Sequence, residues 1–467
     1  MNLHLTVLLL YAGVLMTVGL WVSRRVRSTS DFFVAGRRLG PGLIFATLLA
    51  ANLGAGTTVG AAGLGYRDGL SAWWWVGSAG LGSMVLAFWF GPRLRRLAAA
   101  HDLHTVGDFL EHRYGRQVRA TIAILLWVGT LAILAGQLIA MGFVLNAVTG
   151  LDRWVGSVIG GVVVTVYFTA GGLLTSVWVN SVQLVVLVVG FTVVFPLLLG
   201  SVGGFSSMHD ATGGIDGYWN FWRGGESGWF YLAMLGPSFI VSPGILQRVY
   251  GARDDRAVRL GVGLNGAALL VAGAVMALLG MMARTVVPEL PDHDLALPTL
   301  FLESLPPLLG ALGLAAVFSA EVSSADAILF MLSTSLSRDF YRRFVRPDAS
   351  DRQVLRVARV AAVAGGVGGI IVAMWFDSIV DVLSFFYTLL TVSLFVPVLV
   401  GLYARRVRTP EALASIAAGV AVAAVVQTTA EDGAVVWLDP AMLGIGAALA
   451  AMLAAMMATR NKPVEVS

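Results

Sequence analysis

The chain has 467 residues, of which 57% are hydrophobic and only 12% charged. A soluble chain of this length would form several domains with far more charge, so the totals exclude an ordinary water-soluble enzyme. The formal charge of +4 comes from Arg clusters between apolar runs, which read as membrane-topology anchors rather than a nucleic-acid patch, and zero Cys excludes disulfides, thiolate catalysis and Cys-ligated metals.

The first run, Leu3–Val22, is too long for a signal-peptide core and shows no A-x-A cleavage site. Its positive charges, Arg24, Arg25 and Arg27, follow the run, which predicts an uncleaved first helix with the N-terminus outside. Apolar segments then recur at about 41–66, 70–91, 118–148, 152–170, 173–199, 229–250, 256–285, 306–337, 353–374, 378–403, 411–427 and 435–459. Runs of about 20 apolar residues are membrane-spanning candidates, so the expected fold is an all-α polytopic membrane protein with about thirteen transmembrane helices. Alternation from an outside N-terminus puts most Arg on one side: Arg93, Arg95, Arg96, Arg248, Arg253, Arg342, Arg346, Arg405 and Arg406 among them. The C-terminus is then cytoplasmic. The longest outside loop, Ser201–Ser227, is rich in Gly and aromatics and is a candidate small cap. The six His lie in expected loops or near the N-terminus, which argues against a His relay or metal site inside the membrane. No Walker A pattern is present, so nucleotide hydrolysis is not expected to drive the protein.

Two segments are interrupted. The second helix carries Ala50-Ala51-Asn52-Leu53-Gly54-Ala55-Gly56-Thr57-Thr58, and the seventh carries Gly236-Pro237-Ser238 and Ser242-Pro243-Gly244. Matched breaks at the start of two five-helix units, 41–199 and 229–403, point to an inverted-repeat transporter site. Unpaired backbone groups at mid-membrane are tolerated only around a cavity or ligand. The competing reading of each Gly is close helix packing.

The stretch Ala315–Tyr341 reads as one spanning helix that is polar where the bilayer is most apolar. Ala320, Ser323, Ser324 and Ala327 share a face by their three-and-four spacing, and Asp326 lies about 60° round the wheel. Hydroxyls, an accessible carbonyl and a carboxylate are hard oxygen ligands suited to a monovalent cation. For the serines alone, close packing with bonding to their own backbone is the alternative. Glu321 lies on another side and has no assigned role beyond pairing with a polar group of a neighbouring helix.

Several stretches fall in a known order. They are Ser30–Arg37; Thr105–Glu111 with Arg113-Tyr114-Gly115; Gly171-Gly172-Leu173 with Val177-Trp178 and Gln183; Gln247-Arg248 before Ala252-Arg253-Asp254; and Ala320–Ser324 with Arg338-Asp339-Phe340-Tyr341. The set resembles the sodium:solute symporter family over most of the chain. The resemblance implies a LeuT-like 5+5 inverted-repeat core with one helix before and two after. The expected division is 1–40 (first helix and inside loop), 41–199 (core helices one to five), 200–228 (extracellular loop), 229–404 (core helices six to ten) and 405–467 (two more helices and a cytoplasmic tail). It further implies a sodium site made by the carbonyls of Ala50, Leu53 and Ala320 and the hydroxyls of Ser323 and Ser324. Asn52, Gly56, Thr57 and Ser238 become candidate substrate lining, each equally a packing residue, with Tyr387 as gate. Many members carry an acid where this chain has Asn180. Asn180 with Asp326 is therefore a candidate second cation or proton site, the alternative being a single-sodium transporter in which Asp326 bonds another helix.

The expected function is sodium-coupled import of a small organic solute, an amino acid or small organic acid, by alternating access. A half-helix N-terminus near Gly54–Thr58 favours a carboxylate. The rivals are an uncoupled facilitator or channel on the same fold and a transporter-like membrane sensor. An enzyme is not expected. Sodium is the coupling ion with no cofactor; the partners are the solute and the lipid bilayer of the cell membrane, with neither nucleic acid nor an obligatory protein partner.

Overall fold

The computed structural model describes residues 3–23, 39–223, 228–429 and 439–459. The Ser30–Arg37 stretch lies outside these residues, as do the side chains of Gly171–Asn180 and of Arg338 and Asp339. The described residues are helical apart from short connections and one isolated bridge between Leu39 and Ala252.

The helices run in chain order as α1 Leu3–Ser23, α2 Pro41–Asn52, α3 Val59–Asp68, α4 Trp73–Val85, α5 Gly91–Ala100, α6 Val106–Tyr114, α7 Arg116–Thr149, α8 Arg153–Ser201 and α9 Gly204–Thr212. They continue as α10 Tyr231–Val241, α11 Pro243–Tyr250, α12 Asp255–Val286, α13 Ala296–Ser304, α14 Pro307–Thr334, α15 Asp351–Ala373, α16 Ile379–Tyr403, α17 Thr409–Thr429 and α18 Pro440–Thr459. Among the described residues eight helical segments are long and apolar enough to cross a membrane, or ten if two bent pairs each count as one span. The expected thirteen is not reproduced by this criterion. Leu3–Val14 and Arg153–Val166 add two shorter apolar stretches, and α8 is one 49-residue helix where the sequence suggested two segments meeting near Gly171-Gly172.

Both breaks are present. Pro41 opens α2 at a position where its missing N–H is not needed. The helix stops at Asn52, Leu53 and Gly54 leave helical geometry, and a single 3₁₀ turn, Ala55–Thr57, leads into α3. The segments on either side are bent by 85°. The second break is at Ser242, with φ −53° and ψ 121°. Pro243 follows it, and a residue before proline is driven out of the helical region. The helix runs on through Gly236-Pro237-Ser238, which the sequence had grouped with the break.

The most deeply buried of the apolar spans is α14. It is packed against α1, α2, α7, α8, α13 and α15. The rim of the bundle is apolar instead: Leu10, Ile124, Val271, Val360 and Met457 are exposed, as lipid-facing side chains should be. Residues 201–223 do form a cap at one end. Tyr218 is buried there and its hydroxyl donates to the carbonyls of Gly65 and Tyr66, while Trp74 Nε1 donates to the carbonyl of Phe221.

Candidate functional site

The polar face of α14 meets the break between α2 and α3. Ser323 Oγ lies 3.2 Å from the carbonyl oxygen of Ala50; Ser324 Oγ lies 3.4 Å from that of Leu53 and 3.5 Å from that of Ala51. Ala320 is fully buried and packs in a cluster with Leu49, Leu53 and Leu187. The five expected sodium positions thus fall at one crossing. The spacing suits an ion: two oxygens each about 2.4 Å from one hard cation, about 90° apart, are about 3.4 Å from each other. These hydroxyl–carbonyl separations are long for hydrogen bonds between hydroxyls and carbonyls but fit that figure.

Gly54 makes the crossing close. A Cβ on it would stand 2.3 Å from Ser324 Oγ and 2.6 Å from Gln137 Oε1. The broken backbone is held by polar side chains of α7 and α14 and by the threonines of the break itself. Gln137 of α7 accepts from the N–H of Ala55 at 2.8 Å. Thr57 Oγ1 accepts from the N–H of Gly54 at 2.9 Å and donates towards the carbonyl of Asn52 at 2.8 Å. Thr58 Oγ1 lies 2.7 Å from Glu321 Oε1 and 2.9 Å from the carbonyl of Gly54. Glu321, for which the sequence suggested only pairing with a polar group of a neighbouring helix, therefore ties α14 to the start of α3.

The other expected lining residues are spread around the break. Asn52 donates to Asn265 Oδ1 of α12 at 3.2 Å. The carbonyl of Gly56 accepts from Trp75 Nε1 at 2.7 Å. Ser238 is fully buried, with its hydroxyl 2.7 Å from the Met234 carbonyl and 2.6 Å from Thr391 Oγ1, so it joins α10 to α16. Tyr387 belongs to an aromatic cluster: its ring centroid is 6.1 Å from that of Trp75 and 5.8 Å from Phe239, and Trp75 is 5.0 Å from Tyr231. Asp326 is fully buried on α14. Asn180 lies in α8 with its side chain outside the described residues, so their pairing is not visible.

Sequence reasoning missed Trp75, Gln137, Thr58 and Tyr231. Trp75 stood in a conspicuous Trp73-Trp74-Trp75 run, and Gln137 was a lone amide in an apolar helix. Both signals were there, though neither says which helix the side chain meets.

Two helices broken at mid-bundle, with a buried polar helix laid across the first break, define a helical membrane protein of the LeuT-like fold. Solved structures share it. A Na⁺-coupled sialic acid symporter in a substrate-bound outward-open state superposes with a TM-score of 0.80 at 18% identity, over 98% of each chain. Mhp1, a nucleobase-cation-symport-1 family transporter, in a closed conformation gives 0.53 at 17% identity, over 91% of this chain and 94% of that one. At such identities the likeness concerns the fold. The family is fixed by sequence: the model of the sodium:solute symporter family matches residues 32–419, and the chain belongs to that family. Among its relatives are the uncharacterized symporter YidK of Escherichia coli, 27% identical over 76% of this chain and 66% of that protein, and the sodium/glucose cotransporter of Vibrio parahaemolyticus, 26% identical over 76% and 72%. The human sodium/iodide cotransporter is 27% identical over 72% of this chain and 55% of its own length. The match therefore spans between about half and three quarters of these relatives.

Proposed function

We propose that the chain is a sodium-coupled symporter that imports a small organic solute by alternating access, with its N-terminus outside and its C-terminus in the cytoplasm. The observation that carries this reading is the meeting of Ser323 and Ser324 with the carbonyls of Ala50 and Leu53 at ion-ligand spacing. Sodium there, with the carbonyl of Ala320 as a fifth ligand, bridges α14 to the broken helix and favours one arrangement of the two. Coupling requires that difference, because equal affinity for two states shifts nothing. The solute site lies beside the breaks, with Gly56 and Tyr387 as lining and gate and Trp75 added to them. Asn52, Thr57 and Ser238 belong to the same shell, where they hold the breaks in shape. Residues 41–199 and 229–404 act as the two inverted repeats.

The solute class is an amino acid or small organic acid. Relatives include a high-affinity proline transporter of Bacillus subtilis and a sodium/pantothenate symporter of E. coli, each with a carboxylate-bearing solute in its name, and also sodium/glucose cotransporters. The N-terminus of the α3 half-helix, where the first N–H groups have no partner within the helix, favours the carboxylate.

The test is thermal stability of the purified protein against amino acids, organic acids, sugars and vitamins, in NaCl and in KCl. A ligand of the folded state raises apparent stability. The expected result is a carboxylate compound that stabilises only in sodium, with the sodium effect lost in Ser323→Ala. Equal shifts in both salts would move the reading to a facilitator or sensor.

A further inference from the structure

At the end of the bundle that carries the 201–223 cap, the connection between α12 and α13 makes a tight turn, His293–Leu295. We propose that Asp292, His293 and Asp294 in this turn form a binding site for a zinc-class divalent cation, separate from the sodium crossing. One ligand atom from each residue lies within 4.8 Å of the others. His293 Nε2 is 4.0 Å from Asp294 Oδ1, and His293 Nδ1 is 3.8 Å from Asp292 Oδ1. One ion takes only one of the two imidazole nitrogens, and bonds of about 2.0–2.1 Å at a tetrahedral angle need ligand atoms about 3.3 Å apart, so binding draws the set together by up to about 1.5 Å.

Asp294 supplies the second, independent observation. Its side chain is fully buried, yet Oδ1 has no hydrogen-bond partner among the described residues, and neither does the buried Nε2 of His293. A buried acceptor left unmatched costs about 1–3 kcal/mol. Gly63 of α3 lets the turn pack close against that helix: a Cβ there would come within 2.7 Å of Asp294 Oδ1 and 3.1 Å of the His293 ring. The turn is already set for binding: the N–H of Asp294 donates to Asp292 Oδ1 at 2.9 Å, and Asp294 Oδ2 accepts from the N–H of Ile379 at 3.0 Å. An ion on Oδ1 leaves that second bond in place, so it fixes the turn to the first residue of α16 while the turn packs on α3. Binding therefore resists relative motion of α3 and α16, two of the helices that shape the candidate solute site.

The donor set selects the metal. An imidazole with two carboxylates suits Zn²⁺, whereas Ca²⁺ and Mg²⁺ take all-oxygen shells. The turn borders an open cleft of about 520 Å³ that gives access to water. Arg67 and Arg284 share the cleft, but Arg67 pairs with Asp68 at 2.8 Å and the Arg284 guanidinium lies 4.8 Å from the centre of the Tyr66 ring.

The test uses the full chain and needs no solute. Melting is followed while ZnCl₂ is raised through the micromolar range, with MgCl₂ and CaCl₂ as controls, for the wild type, His293→Ala and Asp292→Asn. Asp294 is left intact because it caps α16. Saturable stabilisation by zinc alone, with the half-point shifted at least about tenfold in both variants, is expected. Zinc responses equal in all three proteins would place the ion elsewhere. No zinc response, with a melting point that follows pH alone, would give Oδ1 to a proton. Either result overturns the proposal without touching the sodium reading, which rests on other residues.

Discussion

Gly54 is the residue that lets a hydroxyl reach a carbonyl across two helices. An added methyl group cannot sit 2.3 Å from Ser324 Oγ, so Gly54→Ala must push α14 away from the break. Overpacking of this kind costs about 1–3 kcal/mol, and it also spoils the ligand spacing. The expected outcome is a protein that melts earlier and at the same temperature in NaCl and KCl. A Gly54→Ala variant that keeps the wild-type sodium shift would show that the crossing is not where sodium acts. Ser323 and Ser324 were legible in the sequence because polar residues at helical spacing stand out in an apolar run. The bond between Glu321 and Thr58 was not, because it joins residues 263 apart and depends on how two helices are rotated against each other. Periodicity fixes the faces of one helix and says nothing of which neighbour a face meets.

Breaks were legible at the scale of elements, though not their positions. Gly236-Pro237 looked like a break by composition, yet the helix continues through it. The hydroxyls of Ser238 and Thr391 both reach the Met234 carbonyl, at 2.7 and 2.8 Å, and such side chains re-satisfy a backbone that proline has loosened. Ser242 breaks because Pro243 follows it and drives it to extended ψ, 121°. Beyond the second break, α12 starts at Asp254, which caps its first turn. Asp254 Oδ1 accepts from the N–H of Ala257 at 2.6 Å, and this bond holds its carboxyl below the usual carboxylate range, with Arg253 adding to the effect. A carboxyl with a lowered folded value stabilises the protein above its ordinary value, about 3.9, and loses that contribution as pH falls through the folded value. Asp254→Ala should therefore melt below the wild type at pH 6, and the gap should close steadily below about pH 4. A gap that stays constant to pH 3 would show that the cap acts through packing, not charge.

For the whole molecule, the broken-helix plan was written in composition and motif order, whereas the count of thirteen spans is not reproduced among the described residues. At about 1.5 Å per residue, the 49 residues of α8 make about 74 Å of helix, more than twice a hydrocarbon core of about 30 Å. Hydropathy divided the stretch at Gly171-Gly172, but glycine permits a helix as well as a turn, and packing decides between them. The same limit applies to the charge ledger. On sequence grounds Asn180 with Asp326 is a candidate second cation or proton site, and coupling stoichiometry turns on whether Asp326 holds an ion. One charge crossing about 100 mV yields about 2.3 kcal/mol, and a tenfold sodium gradient yields about 1.4 kcal/mol. One sodium then sustains a gradient of a neutral solute of about 500-fold, and a second coupled cation under the same forces squares that limit. In proteoliposomes with imposed voltage and sodium gradient, Asp326→Asn should lower the static-head accumulation ratio towards the one-ion value. An accumulation ratio unchanged by the substitution would leave Asp326 as a helix-bonding group and the transporter with one sodium. A fall in rate with no fall in ratio would point the same way, because coupling is read from the equilibrium and not from the speed at which it is reached.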